Sequence, residues 1–196
     1  GSMNLINEDR AEMLYGDMGQ AVEVSGGSAG NTAAGVASLG GRAAYFGKVK
    51  ADQLGAIYRH DMRAQGVRFD SLPANAGPAT ARSFILVTPD GERTMNTYLG
   101  ACVNLTTDDI DQDIVADSKV TYMEGYLWDR PEAKEAFKRA AAISRKAGRM
   151  TSITLSDSFC VERHRDSFLE LIRKDIDIVF ANETEIKSLY QTQNFD

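Results

Sequence analysis

In the second half of the sequence, apolar runs alternate with amphipathic stretches. The runs at 120–123, 151–155 and 176–180 read as buried strands, and the residues between them repeat their apolar positions at helical spacing. Pro131 opens one such stretch, which sets Ala133, Ala136, Phe137, Ala140, Ala141 and Ala147 on one face and closes at Gly148. The next, over about 163–173, buries Phe168, Leu171 and Ile172. Strands and helices alternating in this way predict a parallel sheet with right-handed crossovers. In such an α/β fold, ligands bind beyond the carboxyl ends of the strands. Those ends carry Glu124 and Gly125, Ser156 and Asp157, and Asn182 and Glu185. Asn182 reads as a helix N-cap with Glu185 as its capping-box partner, a pairing that by itself accounts for both residues. The same junction also turns helix N–H groups toward a place where phosphate is favoured.

The first half has shorter periods and more glycine. Ala11, Leu14 and Tyr15 predict a helix within 7–20, and 21–24 reads as a short strand running into a Gly-rich turn. A small-residue helix over 31–39, a strand over 43–49 and a helix over 52–65 follow. The last carries Leu54, Ile57, Tyr58 and Met62 on one stripe and ends at Gly66. Residues 79–101 read as two strands joined by Pro89-Asp90-Gly91, where Pro fixes φ and Gly accepts positive φ. A hairpin placed between two βα stretches suggests a flap over a site.

Composition narrows the class. A chain of 196 residues with 43% apolar and 26% charged residues is ordinary for a globular protein and long enough to bury a core. Its net charge of −6 argues against a nucleic-acid partner, whose footprint is basic. Cys102 and Cys160 form no CxxC pair, and with His60 and His164 as the two histidines the spacing argues against a Cys/His zinc site. Two separated cysteines suit a reduced, cytoplasmic protein. No apolar run is long enough to span a membrane.

Two common glycine motifs fail on spacing. Gly26-Gly27-Ser28-Ala29-Gly30-Asn31 lacks the GxGxxG order of a dinucleotide fingerprint. Residues 41–48 miss the P-loop, because five residues separate Gly41 from Gly47 and Val49 follows Lys48 where Ser or Thr must hold magnesium. Gly26 and Gly27 fit either a tight turn or a backbone that approaches a ligand closely. Asn31 fits either a helix-start role or a donor–acceptor pair for a sugar diol.

Taken together, these residues resemble the ribokinase/PfkB family of sugar and nucleoside kinases. The family's N-terminal signature is Gly-Gly-x-x-x-Asn-x-Ala, then Leu-Gly, then Gly-x-Val-x-x-Asp-x-x-Gly. It is matched here by Gly26, Gly27, Asn31, Ala33, Leu39, Gly40, Gly47, Val49, Asp52 and Gly55, with Lys50 where many members carry glycine. Asn182-Glu183-Thr184-Glu185 is similar to the family's Asn-x-x-Glu motif after a hydrophobic strand. DGERTMNTYLGA looks like the lid strand, and YMEGYL like the strand before the substrate pocket. The wording TMNTYLGA, EGYLWD, SDSFC and FANETE is most like adenosine-kinase-like members.

The resemblance implies a ribokinase-like three-layer α/β/α fold with a mainly parallel sheet and a small β-hairpin lid. It makes 1–196 a single incomplete domain, with lid strands at about 21–25 and 82–99. It implies ATP-dependent transfer of phosphate to a primary hydroxymethyl group of a nucleoside or sugar. Gly26, Gly27, Asn31 and Glu124 would bind substrate, and Asn182 and Glu185 would serve the nucleotide, with Glu185 meeting Mg2+ through water. It also implies a small-molecule nucleoside or sugar as partner and a homodimer through the lid. The family's Asp-Thr-x-Gly-Ala-Gly-Asp motif, which carries the anion hole and the catalytic base, is absent from 1–196. The expectation is therefore a chain cut at both ends, without a catalytic base and inactive alone. The alternative is a non-catalytic sugar- or nucleoside-binding domain of the same fold.

Overall fold

The protein is described from a computed structural model covering residues 3–195. The chain divides into two compact units, one ending at Val103 and the other beginning at Asn104.

In the first unit, β1 (Met3–Leu5) leads into α1 (Glu8–Asp17). Asn7 starts this helix, because its side chain accepts the Arg10 N–H. Two strands, β4 (Arg82–Val87) and β5 (Arg93–Tyr98), form the hairpin expected from Pro89-Asp90-Gly91, with Ile85 opposite Met95. β1 adds to β5 in parallel, pairing Asn4 with Asn96. Ala11 of α1 meets Phe84 and Tyr98 of the hairpin in a small core that Ile6, Leu14, Met18 and Ala79 complete.

The rest of the unit holds α2 (Ser28–Ser38), β2 (Ala43–Ala44), α3 (Gln53–Ala64) and β3 (Val67–Arg68), with β2 and β3 parallel. Its core is Val49, Met62, Val67 and Phe69. Tyr45, Tyr58 and Phe69 meet edge-on over it with ring centroids 5.0–6.0 Å apart. Full burial of Phe69, which is 0% exposed, stabilises by roughly 1.5–3 kcal/mol.

Two expected strands are corrected here. Residues 21–24 form no strand, so the lid strand expected at 21–25 is not present. Val22 and Val24 stand 90% and 78% exposed, and an alternating pair with no core to face and no ladder to join gains nothing from extending. The strand expected over 43–49 is ordered as a ladder only at Ala43–Ala44, and pairing resumes at Lys50 with Ala74.

In the second unit the order is α4 (Gln112–Asp117), β6 (Val120–Glu124), α5 (Pro131–Lys146), β7 (Met150–Thr154), α6 (Ser158–Asp175), β8 (Ile178–Phe180) and α7 (Glu183–Tyr190). β6, β7 and β8 form the expected parallel sheet in that order. Their register pairs Glu124 with Thr154 and Thr154 with Phe180, which aligns the three carboxyl ends. Ala133, Ala136, Phe137, Ala140 and Ala141 of α5 are buried as their spacing predicts. Ala147 is exposed at the helix C-cap instead, and the buried face ends at Ser144. Ser144 is tolerated there because its hydroxyl pairs with Thr121 at 2.8 Å. On α6 Phe168 and Leu171 are buried, joined by Leu169, while Ile172 is only half-buried. The described strands thus form three small sheets, two wholly parallel and one mixed.

Candidate functional site

The diglycine turn sits at the start of α2. Gly27 is the N-cap, with φ of 94°, a backbone region that L side chains avoid. Asn31 lies one turn in, its N–H bonded to the Gly27 carbonyl at 2.8 Å and its side chain exposed. Gly26, Gly27 and Asn31 therefore share the open end of one helix, whose first N–H groups point past Gly27.

The remaining signature residues of this unit are structural. Asp52 caps α3 by accepting the Gly55 N–H at 2.8 Å, and it also accepts the Thr80 N–H at 2.9 Å and hydroxyl at 2.6 Å. Burial pushes its carboxyl up, but these hydrogen bonds outweigh burial and hold it below the usual aspartate value. A Cβ at Gly55 would come within 2.0 Å of the Lys50 carbonyl, so the helix start closes on the preceding turn only with glycine.

In the second unit, the carboxyl ends of β6, β7 and β8 gather the polar residues. Glu124 is 8% exposed and accepts the Ser156 hydroxyl at 3.3 Å. The same Ser156 oxygen accepts the Tyr126 N–H at 3.1 Å, and the Tyr126 hydroxyl donates to the Ser156 carbonyl at 3.1 Å. Ser156 carries this double contact at a φ of 73°, which costs about 1–2 kcal/mol for a non-glycine residue. Gly125 fits beneath, since a Cβ there would lie 2.7 Å from the Thr154 carbonyl. Asp157 caps α6 by accepting the Cys160 N–H at 2.6 Å.

Tyr126 reports on the charge at these ends. Burial first, then the negative charges of Asp157, Glu124 and Glu185, push its phenol up to about 12, so it stays a neutral donor at neutral pH. The acidic side chains of three successive strand ends thus act on one phenol.

Asn182 and Glu185 form the capping box that their spacing predicts. The Glu185 carboxylate accepts the Asn182 N–H at 3.1 Å and its amide at 2.8 Å, while the Asn182 carbonyl oxygen accepts the Glu185 N–H at 2.9 Å. Both carboxylate oxygens are engaged and the residue is 6% exposed. Among the described residues no group of three or more His, Cys, Asp or Glu is arranged to hold a metal. This donor set does not fit direct coordination of Mg2+ by Glu185. It does fit one further hydrogen bond from a metal-bound water, because each carboxylate oxygen has a second lone pair.

Of the residues expected from sequence, Gly26, Gly27 and Asn31 stand together in the first unit. Glu124, Asn182 and Glu185 stand at aligned strand ends in the second. Sequence reasoning missed Tyr126, whose position two residues past Glu124 was the available signal. It also missed the role of Ser156, whose left-handed backbone has no signature in the sequence, and the bond from Ser25 to Asp61, which spans 36 positions.

The second unit aligns the carboxyl ends of β6, β7 and β8, where open α/β sheets bind ligands, and the first unit presents a glycine-capped helix start of the kind that favours anions. Residues 3–196 match the pfkB family carbohydrate kinase, and the chain belongs to that family. The structure of adenosine kinase from Sinorhizobium meliloti is 66% identical, with a TM-score of 0.93 over 98% of this chain and 59% of that one. A structure titled probable sugar kinase protein from Rhizobium etli CFN 42 is 64% identical, with the same TM-score of 0.93 and the same coverage, 98% and 59%. A fructokinase from Solanum tuberosum is 27% identical over 67% of this chain and 42% of its own length. The fold is ribokinase-like mixed α/β, and the chain spans roughly two fifths to three fifths of the length of these relatives.

Proposed function

We propose that the protein transfers the γ-phosphate of ATP to a primary hydroxymethyl group of a nucleoside or sugar, with adenosine the first acceptor to try. The observation that carries this reading is the 66% identity to the Sinorhizobium meliloti adenosine kinase over 98% of the chain. In this reading 1–196 belongs to a single ribokinase-like domain.

The chain's own residues would do the following. Gly27, held at positive φ, brings backbone close to the acceptor, and Asn31 offers an amide that can both donate to and accept from a sugar diol. Glu124, which accepts the Ser156 hydroxyl, would serve as a hydrogen-bond acceptor for the substrate. The first turn of α7 would offer its remaining N–H groups to phosphate, and Glu185 would accept a hydrogen bond from a water on Mg2+. Mg2+, when bound with ATP, would neutralise charge on the transferring phosphoryl group. The β4–β5 hairpin would cover the acceptor and exclude water, which limits wasteful hydrolysis. We assign no catalytic base within residues 1–196. Free Cys102 and Cys160 suit a cytoplasmic setting, where ATP is abundant. The exposed Ile85, Leu86 and Val87 of the hairpin favour a homodimer through the lid as an added reading.

The test is a panel of adenosine, other nucleosides, ribose and fructose with the complete gene product, ATP and Mg2+. Turnover on one of them supports the reading, and no turnover on any overturns it. Saturable binding of adenosine or ribose without turnover would favour the non-catalytic alternative.

A further inference from the structure

The loop that carries Gly26 and Gly27 is held by very little packing. Residues 19–27 form neither helix nor strand. Val22 and Val24 are largely exposed, and a Cβ built on Gly26 or Gly27 would meet nothing within 4 Å. An unpacked segment with two adjacent glycines pays a large entropy cost to present one backbone geometry.

One strong contact crosses to it from α3. The Ser25 hydroxyl donates to Asp61 Oδ2 at 2.6 Å, immediately before the diglycine. This hydroxyl is not spent on capping α2, whose N-cap is Gly27. α3 already frames α2, because Gly30 packs so closely on it that a Cβ there would lie 2.3 Å from the Tyr58 hydroxyl. Asp61 extends that framing from the helix to the loop before it. The hydrogen bond from Ser25, and a second from His60 to the other carboxylate oxygen at 3.2 Å, hold the Asp61 carboxyl below the usual aspartate value. The acceptor is therefore charged at neutral pH, and a hydroxyl bonded to a carboxylate is stronger than a neutral pair.

We propose that Asp61 is a positioning residue for the substrate loop: by accepting the Ser25 hydroxyl it fixes where Gly26 and Gly27 present their backbone to the acceptor. The proposal rests on the reading that this loop binds the acceptor molecule. Asp61 touches no reacting atom, so its loss should weaken acceptor binding and leave the chemical step alone.

The experiment is steady-state kinetics of the complete gene product with Ser25→Ala, Asp61→Ala, Ser25→Thr and Asp61→Asn, and Asn31→Ala as control. Ser25→Ala and Asp61→Ala are expected to raise the acceptor KM about three- to tenfold, with kcat and the ATP KM within about twofold. Ser25→Thr keeps the hydroxyl and Asp61→Asn keeps an acceptor oxygen, so both should recover most of the lost affinity. If Asn31→Ala raises the acceptor KM while Ser25→Ala and Asp61→Ala leave it unchanged, the role of Asp61 is overturned and the kinase reading stands. A loss confined to kcat overturns it as well. If the wild-type protein transfers phosphate to no acceptor, the kinase reading fails. Hydrogen exchange then decides the loop alone: faster exchange over residues 22–28 in Ser25→Ala supports the tether, and unchanged exchange overturns it.

Discussion

Gly125 and Glu185 show how single residues at the strand ends combine structure with chemistry. Gly125 lies beneath the Ser156 turn, where a Cβ would press on the Thr154 carbonyl at 2.7 Å and the Leu155 carbonyl at 3.0 Å. Both neighbours are backbone, so neither can swing away. Gly125→Ala is expected to cost about 1–3 kcal/mol, read as a lower denaturant midpoint in equilibrium unfolding. Glu185→Gln keeps the size of the side chain but turns an NH2 toward the donors of Asn182, and one hydrogen bond of the capping box is lost. Stability should fall by about 1 kcal/mol, and the Mg2+ concentration for half-maximal turnover should rise in kinetics of the complete gene product. An unchanged Mg2+ dependence would confine Glu185 to capping. For Asn31→Ala, the expected result is an acceptor KM raised about tenfold with little change in kcat.

At the scale of elements, helix starts and the kink in α6 govern both units. Asp52 holds α3 to the segment around Thr80, and Asp52→Ala removes a cap and two further bonds together. The expected cost is about 1–2 kcal/mol, measurable as a drop in Tm. In the second unit, α6 departs from helical geometry at His164, with φ of −127° and ψ of 19°. His164 Nε2 lies 2.5 Å from Asp129, and Arg163 bonds the same carboxylate at 3.2 and 3.3 Å. Trp128 beside it donates to Ser167 at 2.6 Å and stacks on Phe168 at 5.5 Å. The segment that follows Glu124 is thereby fastened to α6. Burial raises the Asp129 carboxyl, but the hydrogen bonds from His164 and Arg163 outweigh it and leave it below the ordinary value of 3.8. A lowered carboxylate contributes stability that is complete above the unfolded value and is lost as pH falls through the folded one. The Tm gap between wild type and Asp129→Asn should therefore shrink as pH falls below about pH 4. A gap that widens below about pH 4 would contradict this arrangement.

Across the whole molecule, legibility in the sequence follows how local the cause is. The β6–β7–β8 sheet and the buried face of α5 are legible because a parallel strand is apolar throughout and a helix repeats its apolar face. The Asn182–Glu185 box is legible because both partners lie within one turn. The strand expected at 21–24 fails because alternation without a pairing partner looks the same as alternation with one. β1 escapes notice because its three residues are strand only through β5, some ninety positions away. Among the candidate residues, motif spacing picks out Gly26, Gly27 and Asn31, and the end of an apolar run picks out Glu124. Ser25–Asp61, Asp129–His164 and the left-handed Ser156 depend on contacts and backbone geometry that no local pattern encodes. Membership of the pfkB family sets the chemistry to be tested. The most direct test is to incubate the complete gene product with ATP, Mg2+ and adenosine and to identify the product by phosphorus NMR. A phosphomonoester on the primary 5′ hydroxymethyl carbon, formed with ADP in equal amount, is the expected result. If ATP yields only free phosphate, or no ester forms on adenosine or on any sugar of the panel, the assignment as a nucleoside or sugar kinase is contradicted.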